Sequence, residues 1–401
     1  MCFKFKNSAL CSESYIYTGA YVFEVIDTTE NLQVFIQKIS TASWIAIDTE
    51  FLREKTYFAK LCLIQVEADG HRACIDPLKI EDMSDFYEVL HNPDIVKVLH
   101  AAHQDMEVLL QLTGKVPAPI FDTQVAASVL GIGDQMGYAR LVEDMLGVSL
   151  SKTQSRTDWS KRPLKSAQLE YAIDDVRYLA QIYPQMLEKL ESQSRLHWLE
   201  KDFAKATNPM TYAVNADTRW MKVRGNQVLN RHQLAILREL AAWREERAEQ
   251  ADRPRKWIVS DEILLDLSRQ QPNTLEEITE IRGISPDRNN NHGTWLELIK
   301  KGQNTPESEW PELPRSKKPS SAQNALIDLL MLVIQIQAKK HKITPAVIAT
   351  RKQIASMVQA GKSELSDDWR GALVNDEIAS VISGEMLIGV QNAKVSLIDK
   401  D

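Results

Sequence analysis

Two carboxylates follow a short apolar stretch in the first eighth of the 401-residue chain. The sequence at 44–50 is WIAIDTE, and its apolar residues predict a buried strand. Alternate side chains of a strand share one face, so Asp48 and Glu50 are expected to project together. Adjacent carboxylates repel each other, and hard oxygen ligands suit Mg²⁺ or Mn²⁺. The pattern therefore favours a divalent metal site, and the alternative is a strand that ends in an acidic surface turn.

Three more side chains extend this predicted site. Asp105 follows a strand predicted over 94–99 and begins a helix predicted over 105–112, and strand ends in α/β sheets are where sites collect. Tyr171 and Asp175 are four residues apart in a helix predicted over 166–190, so they share a face, although such a pair can also form a surface hydrogen bond. Four carboxylates can hold two divalent cations about 4 Å apart for phosphodiester hydrolysis.

The sequence lacks the motifs of several other kinds of catalytic site. The sequence has no GxxxxGK[ST] loop, no GxGxxG after a strand and no serine nucleophile elbow. Its four cysteines, Cys2, Cys11, Cys62 and Cys74, lack the spacing of a zinc site or a disulfide framework. Cys62 and Cys74 lie in apolar stretches and are predicted to be core residues.

The elements expected to position these residues are those of a mixed α/β sheet. Strands are predicted over 22–25, 44–50, 59–66, 71–75 and 94–99, and helices over 28–39, 85–90, 105–112, 121–130, 139–146 and 166–190. We therefore assign 22–207 to one α/β domain, preceded by a disordered or loosely attached extension over 1–21. Beyond a polar linker we predict an all-α domain over 217–304, with helices over 230–251, 261–270 and 274–281 and a loop over 289–293. A second helical domain is predicted over 320–395.

The chain is acidic overall, but its basic residues are concentrated in a few segments. The net charge is −7, yet 219–256 carries ten basic and five acidic residues, and 315–362 carries nine basic residues and one acidic residue. The loop 151–165 adds Lys152, Arg156, Lys161, Arg162 and Lys165. Many such stretches are only solvated surface, but this distribution also suits a polyanion such as RNA.

Membrane insertion and export are not expected. The longest apolar run, 329–336, is too short to cross a bilayer and predicts a buried helix segment. Residues 1–20 lack the continuous apolar core of a secretory signal. The expectations are a cytoplasmic location, no membrane partner and a monomer.

Three separate motifs carry a family resemblance. The motifs are IDTEF at 47–51, LHAAHQDMEVL at 99–109 and QLEYAIDDVRYL at 168–179. They resemble, in order, the exonuclease motifs of the DEDD superfamily in its tyrosine branch, most closely those of the ribonuclease D family. Residues 234–272 resemble an HRDC domain, a helical nucleic-acid-binding module, and 320–395 resembles a second, more divergent one. The implied fold is a ribonuclease H-like exonuclease domain with a mixed central sheet, followed by two small all-α HRDC-type domains.

The resemblance also implies roles for individual residues. It makes Asp48, Glu50, Asp105 and Asp175 the metal ligands, and Tyr171 the residue that orients or helps to activate the attacking water. The histidine branch has its histidine five residues before the last aspartate, where this chain has Glu170. His100 and His103 are expected to fix the backbone around Asp105 or to touch substrate. We predict His103 and Phe51 as substrate contacts, although Phe51 could instead fill the core.

The implied activity is that of a metal-dependent 3'-5' exoribonuclease with two Mg²⁺ or Mn²⁺ ions. Its expected substrates are tRNA precursors with 3' extensions and other small structured RNAs, and its products are nucleoside 5'-monophosphates. One alternative is the same reaction on DNA, because the motifs do not reveal how a 2'-hydroxyl is recognised. Another is a non-catalytic RNA-binding protein on a nuclease fold, against which the complete set of carboxylates and Tyr171 counts.

Overall fold

Two structural units account for the residues that the computed structural model describes, which are 15–18, 21–150, 157–284, 291–313, 318–391 and 393–400. The first unit contains the described residues up to 52, together with 61–211 and those from 319 onward. The second unit contains 53–60 and the described residues of 212–318. Each unit is therefore built from separate stretches of the chain.

A seven-stranded mixed sheet lies at the centre of the first unit, with the strand order β1-β2-β5-β4-β3-β6-β7. Strands β3, β6 and β7 are parallel to one another, as are β2 and β5, whereas β4 is antiparallel to β5. The five predicted strands are confirmed with shifts of at most two residues. The strands are β1 (Tyr15–Thr18), β2 (Tyr21–Ile26), β3 (Trp44–Leu52), β4 (Lys60–Ala68), β5 (His71–Ile75), β6 (Val96–Leu99) and β7 (Ile120–Asp122).

Two strands of this sheet were not predicted. β1 pairs antiparallel with β2, so residues 15–18 form an edge strand where the sequence analysis placed a loosely attached extension; residues 1–14 and 19–20 lie outside the described residues. β7 occupies the start of the helix predicted over 121–130, and the Asp122 side chain caps the helix that follows by accepting from the Gln124 amide. β7 has only three residues and leads directly into the helix, so it is too short to show the alternation that would distinguish it from the helix.

The longest helix of the first unit packs against the sheet. The helices before residue 207 are α1 (Thr29–Ile39), α2 (Ser84–His91), α3 (His103–Thr113), α4 (Thr123–Leu130), α5 (Tyr138–Leu146), α6 (Ser166–Ser192) and α7 (Glu200–Ala206). On α6, Ala172 and Val176 join a buried cluster with Ala46 of β3. Cys62 and Cys74 are buried free thiols in the same cluster, so their prediction as core residues is confirmed.

The C-terminal segment shares its core with the elements before residue 207. On the long helix of this segment, Ile334 belongs to the same buried cluster as Ile182 and Met186 of α6. The rings of Trp198 and Trp369 stack with centroids 4.2 Å apart and planes 3° apart. The sequence analysis placed 320–395 in a helical domain of its own, and it missed the closing hairpin. The elements are α13 (Ser321–His341), α14 (Pro345–Ile348), α15 (Arg351–Gln359), α16 (Trp369–Ala372), α17 (Asn375–Ser383), β8 (Met386–Gln391) and β9 (Lys394–Asp399).

α13 is the one described helix that is long and apolar enough, by length and composition, to cross a membrane. Its buried residues Ile327, Leu330, Val333 and Ile334 lie in the core of the first unit. One face of the helix is therefore buried, whereas Leu329 and Gln335 of the run 329–336, which was predicted to be buried, are exposed.

The second unit is helical. Leu237 and Leu240 of its longest helix pack with Ile278, Trp295 and Ile299. The helices predicted over 230–251, 261–270 and 274–281 are confirmed, and another helix begins at Asn291, inside the predicted loop. The bounds are α8 (Arg231–Gln250), α9 (Arg255–Ile258), α10 (Asp261–Gln270), α11 (Leu275–Glu280) and α12 (Asn291–Gln303).

Residues 53–60 are tied to this helical unit. The backbone amides of Tyr57 and Phe58 donate to one oxygen of Asp252, each at 3.0 Å. The Tyr57 hydroxyl donates to Glu245, and the Arg255 guanidinium lies 4.8 Å from the centroid of the Tyr57 ring. Thus the segment that directly follows β3 packs on the helices of the second unit.

Substitutions at two glycines that end helices can show how closely α13 approaches α4. Gly131 and Gly114 both have left-handed backbones, with φ of +75° and +72°. A Cβ at Gly131 would lie 1.9 Å from the Lys342 carbonyl oxygen, whereas nothing lies within 4 Å at Gly114. We expect Gly114→Ala to lower the free energy of unfolding by about 1–2 kcal/mol through backbone strain, and Gly131→Ala to lower it by clearly more. Chemical denaturation measures both, and equal losses would contradict the close approach.

Candidate active site

Three carboxylates meet between β3 and α6. Asp48 and Glu50 lie on the face of β3 that carries Ala46, and Ala46 packs against the α6 residues that flank Asp175. One carboxylate oxygen from each of Asp48, Glu50 and Asp175 lies within 4.8 Å of the other two, and all three residues are half-buried. Strand alternation and the packing of α6 together create this cluster.

Asp105 lies beside the cluster rather than within it. It occupies the first turn of α3 and is buried, and its Oδ1 accepts a hydrogen bond from the Thr49 hydroxyl. Thr49 belongs to the face of β3 opposite to Asp48 and Glu50. Even so, the charge of Asp105 contributes to the raised pKa values of both Asp48 and Glu50. The structure therefore brings the fourth predicted ligand to the edge of the cluster.

The turn that carries Asp105 is fastened through its backbone. Asp122 accepts from the amides of Ala101 and Ala102 at 3.0 and 2.9 Å. Ala101 has a left-handed φ of +56°, which is uncommon for a residue with a Cβ. The His100 ring nitrogens lie 3.0 Å from the Thr123 hydroxyl and 3.0 Å from the Met136 carbonyl oxygen. His100 thus supports the local backbone, which is one of the two roles considered for it.

Tyr171 lies one turn before Asp175 on α6 and is half-buried. Its ring is 6.4 Å from that of buried Trp159, with planes 29° apart. The loop that holds Trp159 is anchored by Arg162, which binds the Asp76 carboxylate through two nitrogens and also donates to the Trp159 carbonyl at 2.7 Å. This loop supports one side of the tyrosine.

That anchoring limits the predicted basic surface of 151–165. Arg162 is committed to Asp76, and Lys161 lies 3.7 Å from Asp158. Arg162 therefore does not belong to the exposed basic surface considered for this loop, because its guanidinium is held in a largely buried ion pair. Lys152 and Arg156 lie outside the described residues.

Sequence analysis missed several supporting residues. The Tyr138 hydroxyl donates to the backbone carbonyls of both Asp174 and Asp175, at 3.0 Å to the first, and so fixes the α6 backbone at the site. Burial, followed by the charges of Asp175 and Asp48, raises the pKa of Tyr138 well above its usual value. Each of these contacts joins residues that are far apart in sequence: Tyr138 with Asp175, Thr49 with Asp105, and Asp122 with Ala101. No rule based on sequence spacing predicts such contacts.

Three other predicted or considered residues lie outside the cluster. His103 is exposed as the first residue of α3, and Phe51 is half-buried next to Glu50 on β3. Their substrate contacts remain predictions. Asp174 forms an ion pair with Arg177 at 3.2 Å, consistent with its omission from the predicted ligand set.

The electrostatics of the cluster fit a cation site. Burial, and then the neighbouring carboxylates, raise the pKa of Glu50 to about 8 and that of Asp48 well above its usual range. Burial also raises the pKa of Asp175 to about 7 and that of Asp105 to about 6. Among the residues described, no lysine or arginine forms an ion pair with these carboxylates. Uncompensated hard oxygen ligands at this spacing suit divalent metal ions.

Comparison with known families agrees with this geometry. A protein-family model described as 3'-5' exonuclease matches residues 23–191, and one described as HRDC domain matches residues 233–299. Together with the acidic cluster, these matches define a 3'-5' exonuclease that uses divalent metal and carries a nucleic-acid-binding HRDC domain.

Similarity to individual proteins shows which family of 3'-5' exonucleases the chain belongs to. The chain is 36% identical over 399 residues to ribonuclease D of Zymomonas mobilis, covering 95% of this chain and 100% of that protein. It is 34% identical over 379 residues to ribonuclease D of Gluconacetobacter diazotrophicus, covering 93% and 96%. The crystal structure of Escherichia coli RNase D superposes with a TM-score of 0.79 at 32% identity, over 90% of this chain and 99% of that one. The chain belongs to the ribonuclease D family and is a 3'-5' exoribonuclease.

The carboxylate repulsion predicts how stability depends on pH. The folded-state pKa values of Glu50, Asp175 and Asp105 lie above their ordinary values near 4, so between about pH 4 and 8 the folded protein binds more protons than the unfolded chain. The contribution of these three carboxyl groups to the stability of the metal-free protein must therefore fall as pH rises from about 4 to 8. We expect Glu50→Gln to raise the Tm of metal-free protein at pH 8.5 by about 2–4 °C while abolishing activity.

Scanning calorimetry with chelator at pH 5.5 and 8.5 measures this effect. Glu170→Gln, which removes an exposed carboxylate from α6, is the matched control and should leave the Tm unchanged. A wild-type Tm that does not fall over this range, or a Glu50→Gln variant that behaves like Glu170→Gln, would contradict the assigned repulsion.

Proposed function

We propose that this chain trims 3' extensions from tRNA precursors and other small structured RNAs by two-metal hydrolysis, releasing nucleoside 5'-monophosphates. The observation that carries the proposal is the cluster of Asp48, Glu50 and Asp175, with Asp105 beside it. Structured RNA is favoured because the E. coli relative is described as an exoribonuclease involved in structured RNA processing. We propose that the protein acts as a monomer.

The residues present suit two Mg²⁺ or Mn²⁺ ions. Asp48, Glu50, Asp105 and Asp175 would hold them, since each carboxylate offers two hard oxygens and their mutual repulsion favours cation binding. When bound, the cations supply Lewis acidity for attack of water on the phosphodiester and offset the charge that develops on the phosphate.

The protein's own residues position the reactants. Burial, and then the charges of Asp175, Glu50 and Asp48, raise the pKa of Tyr171 to about 12, so its hydroxyl keeps its proton at neutral pH. We assign to Tyr171 the role of donating a hydrogen bond that orients the attacking water or the scissile phosphate. Phe51 and His103 are the proposed contacts to the terminal nucleotide.

A labelled precursor tests the reaction. We expect a 5'-labelled tRNA precursor with a 3' extension to shorten stepwise from its 3' end with Mg²⁺ or Mn²⁺, and to stay intact with excess chelator. The Asp175→Asn variant should lose hydrolysis while it retains RNA binding, because it removes one charge from the cluster. Gel electrophoresis and anisotropy measure the two properties.

The neighbouring aspartate provides the matched control. Asp174→Asn makes the same chemical change one residue away, in a side chain that pairs with Arg177, and should keep hydrolysis within about threefold. Normal turnover by Asp175→Asn would overturn the site assignment. If the RNA precursor stays intact while a DNA oligonucleotide is shortened, the substrate is DNA and not RNA. If RNA is bound tightly but not hydrolysed, the protein binds RNA without cleaving it.

Removing one hydroxyl tests the role of Tyr171. We expect Tyr171→Phe to lower kcat about 10²-fold with little change in KM, because the ring and its packing on Trp159 remain while the hydrogen bond is lost. Tyr87→Phe removes a hydroxyl from α2 and is the control. Single-turnover kinetics separate chemistry from product release. An unchanged single-turnover rate would exclude the proposed orientation by Tyr171.

A further inference from the structure

A small pocket at the end of α8 lies within the second unit, away from the residues assigned to hydrolysis. Its volume is about 320 Å³, at the lower end of the range for ligand pockets. The side chain of Trp257 is 49% exposed there, which is unusual for so large an aromatic group. The lining residues are Arg247, Ala251, Arg253, Trp257, Ile258 and Asn291.

Backbone hydrogen bonds hold the pocket in shape. α8 ends at Gln250; beyond it, Asp252 has a φ of +45°, and the Arg253 amide turns back to the Ala248 carbonyl at 2.9 Å. The Trp257 amide donates to the Pro254 carbonyl at 2.7 Å. The Asp252 carboxylate in turn accepts from the amides of Tyr57 and Phe58. Arg253 and Trp257 therefore project from a turn that is fixed on two sides.

The basic residues of 219–256 divide into two groups. One group forms ion pairs within the unit: Arg219 and Arg255 with Glu245, Arg231 with Glu312, Arg238 with Glu239, and Arg244 with Asp261. By contrast, the other five basic residues are exposed and form no ion pair with a carboxylate of the described residues; they are Lys222, Arg224, Arg247, Arg253 and Lys256. Three of the unpaired positive charges of this unit thus lie at or next to the exposed indole.

The arrangement of ring and charge suits a nucleotide. The Arg253 guanidinium lies 5.9 Å from the centroid of the Trp257 ring, near the outer limit of a cation–π contact. About half of Trp257 remains exposed to solvent. An exposed aromatic face stacks on any base, and guanidinium groups neutralise backbone phosphates.

We infer that this pocket binds one unpaired nucleotide of a single-stranded RNA segment. The base stacks on Trp257, and the flanking phosphates contact Arg247 and Arg253. The inference rests on the proposed RNA substrate and adds a specific contact point on the second unit. Stacking carries no sequence code, so the pocket accepts all bases.

Salt dependence separates the two contacts. The full chain in the hydrolysis-deficient Asp175→Asn form, with chelator, is titrated with fluorescent single-stranded RNA of about 12 nucleotides between 50 and 300 mM salt. We expect Trp257→Ala to weaken binding about 5- to 20-fold at every salt concentration. We expect the double variant Arg247→Ala/Arg253→Ala to weaken binding and to reduce the slope of log K against log salt by about 1.4.

Matched variants on the same unit act as controls. Leu275→Ala removes another half-exposed apolar side chain, and Arg269→Ala removes another exposed arginine. Both should leave affinity within about twofold. Trp257→Phe should recover most of the affinity, because phenylalanine retains a stacking face.

The outcomes distinguish the pocket from the proposed function. Strong binding by the parent chain, with Trp257→Ala no weaker than Leu275→Ala, would overturn the pocket alone. No binding of single-stranded RNA by the parent chain would overturn the pocket together with the proposed function. If the pocket variants lose as much affinity for a DNA strand of the same sequence, the pocket contacts base and phosphate but not the 2'-hydroxyl.

Discussion

The repulsion among Asp48, Glu50 and Asp175 is the constraint around which the catalytic unit is built. Three carboxylates whose oxygens approach within 4.8 Å oppose folding when no cation is bound. The opposing contribution comes from the apolar contact just beneath them, where Ala172 and Val176 of α6 pack on Ala46 of β3. The same two elements thus supply the charge and the packing that holds it in place.

The supporting polar contacts act mainly on the backbone. Tyr138 donates to the carbonyls of Asp174 and Asp175, and Asp122 accepts from the amides of Ala101 and Ala102. These contacts fix where the acidic side chains begin and leave their oxygens available for ligand binding. Asp105 differs, since one of its oxygens accepts from Thr49. This hydrogen bond orients the Asp105 carboxylate.

Local pattern was enough to predict most of the catalytic unit. Strand alternation placed Asp48 and Glu50 on one face, and helical spacing placed Tyr171 above Asp175. The sequence did not disclose β7, because its three residues are too few to show an alternating pattern and they lead directly into α4. It also could not show that α13 completes the core around Ile182 and Met186, since the apolar stripe of a helix does not identify its partner. Tyr138 was missed for the same reason: its role depends on a contact across 37 residues.

The interleaving of the two units has a consequence for synthesis of the protein. The chain leaves the first unit after Leu52, re-enters it at Leu61, leaves again after Thr211 and returns at Pro319. Ile334 and Trp369, which complete the core next to α6, are therefore made after all the described residues of the second unit. During translation the helical unit has its whole sequence before the nuclease unit can close its core. The emerging polypeptide thus contains the whole sequence of its nucleic-acid-binding module before it contains all the residues that form the core of its nuclease unit.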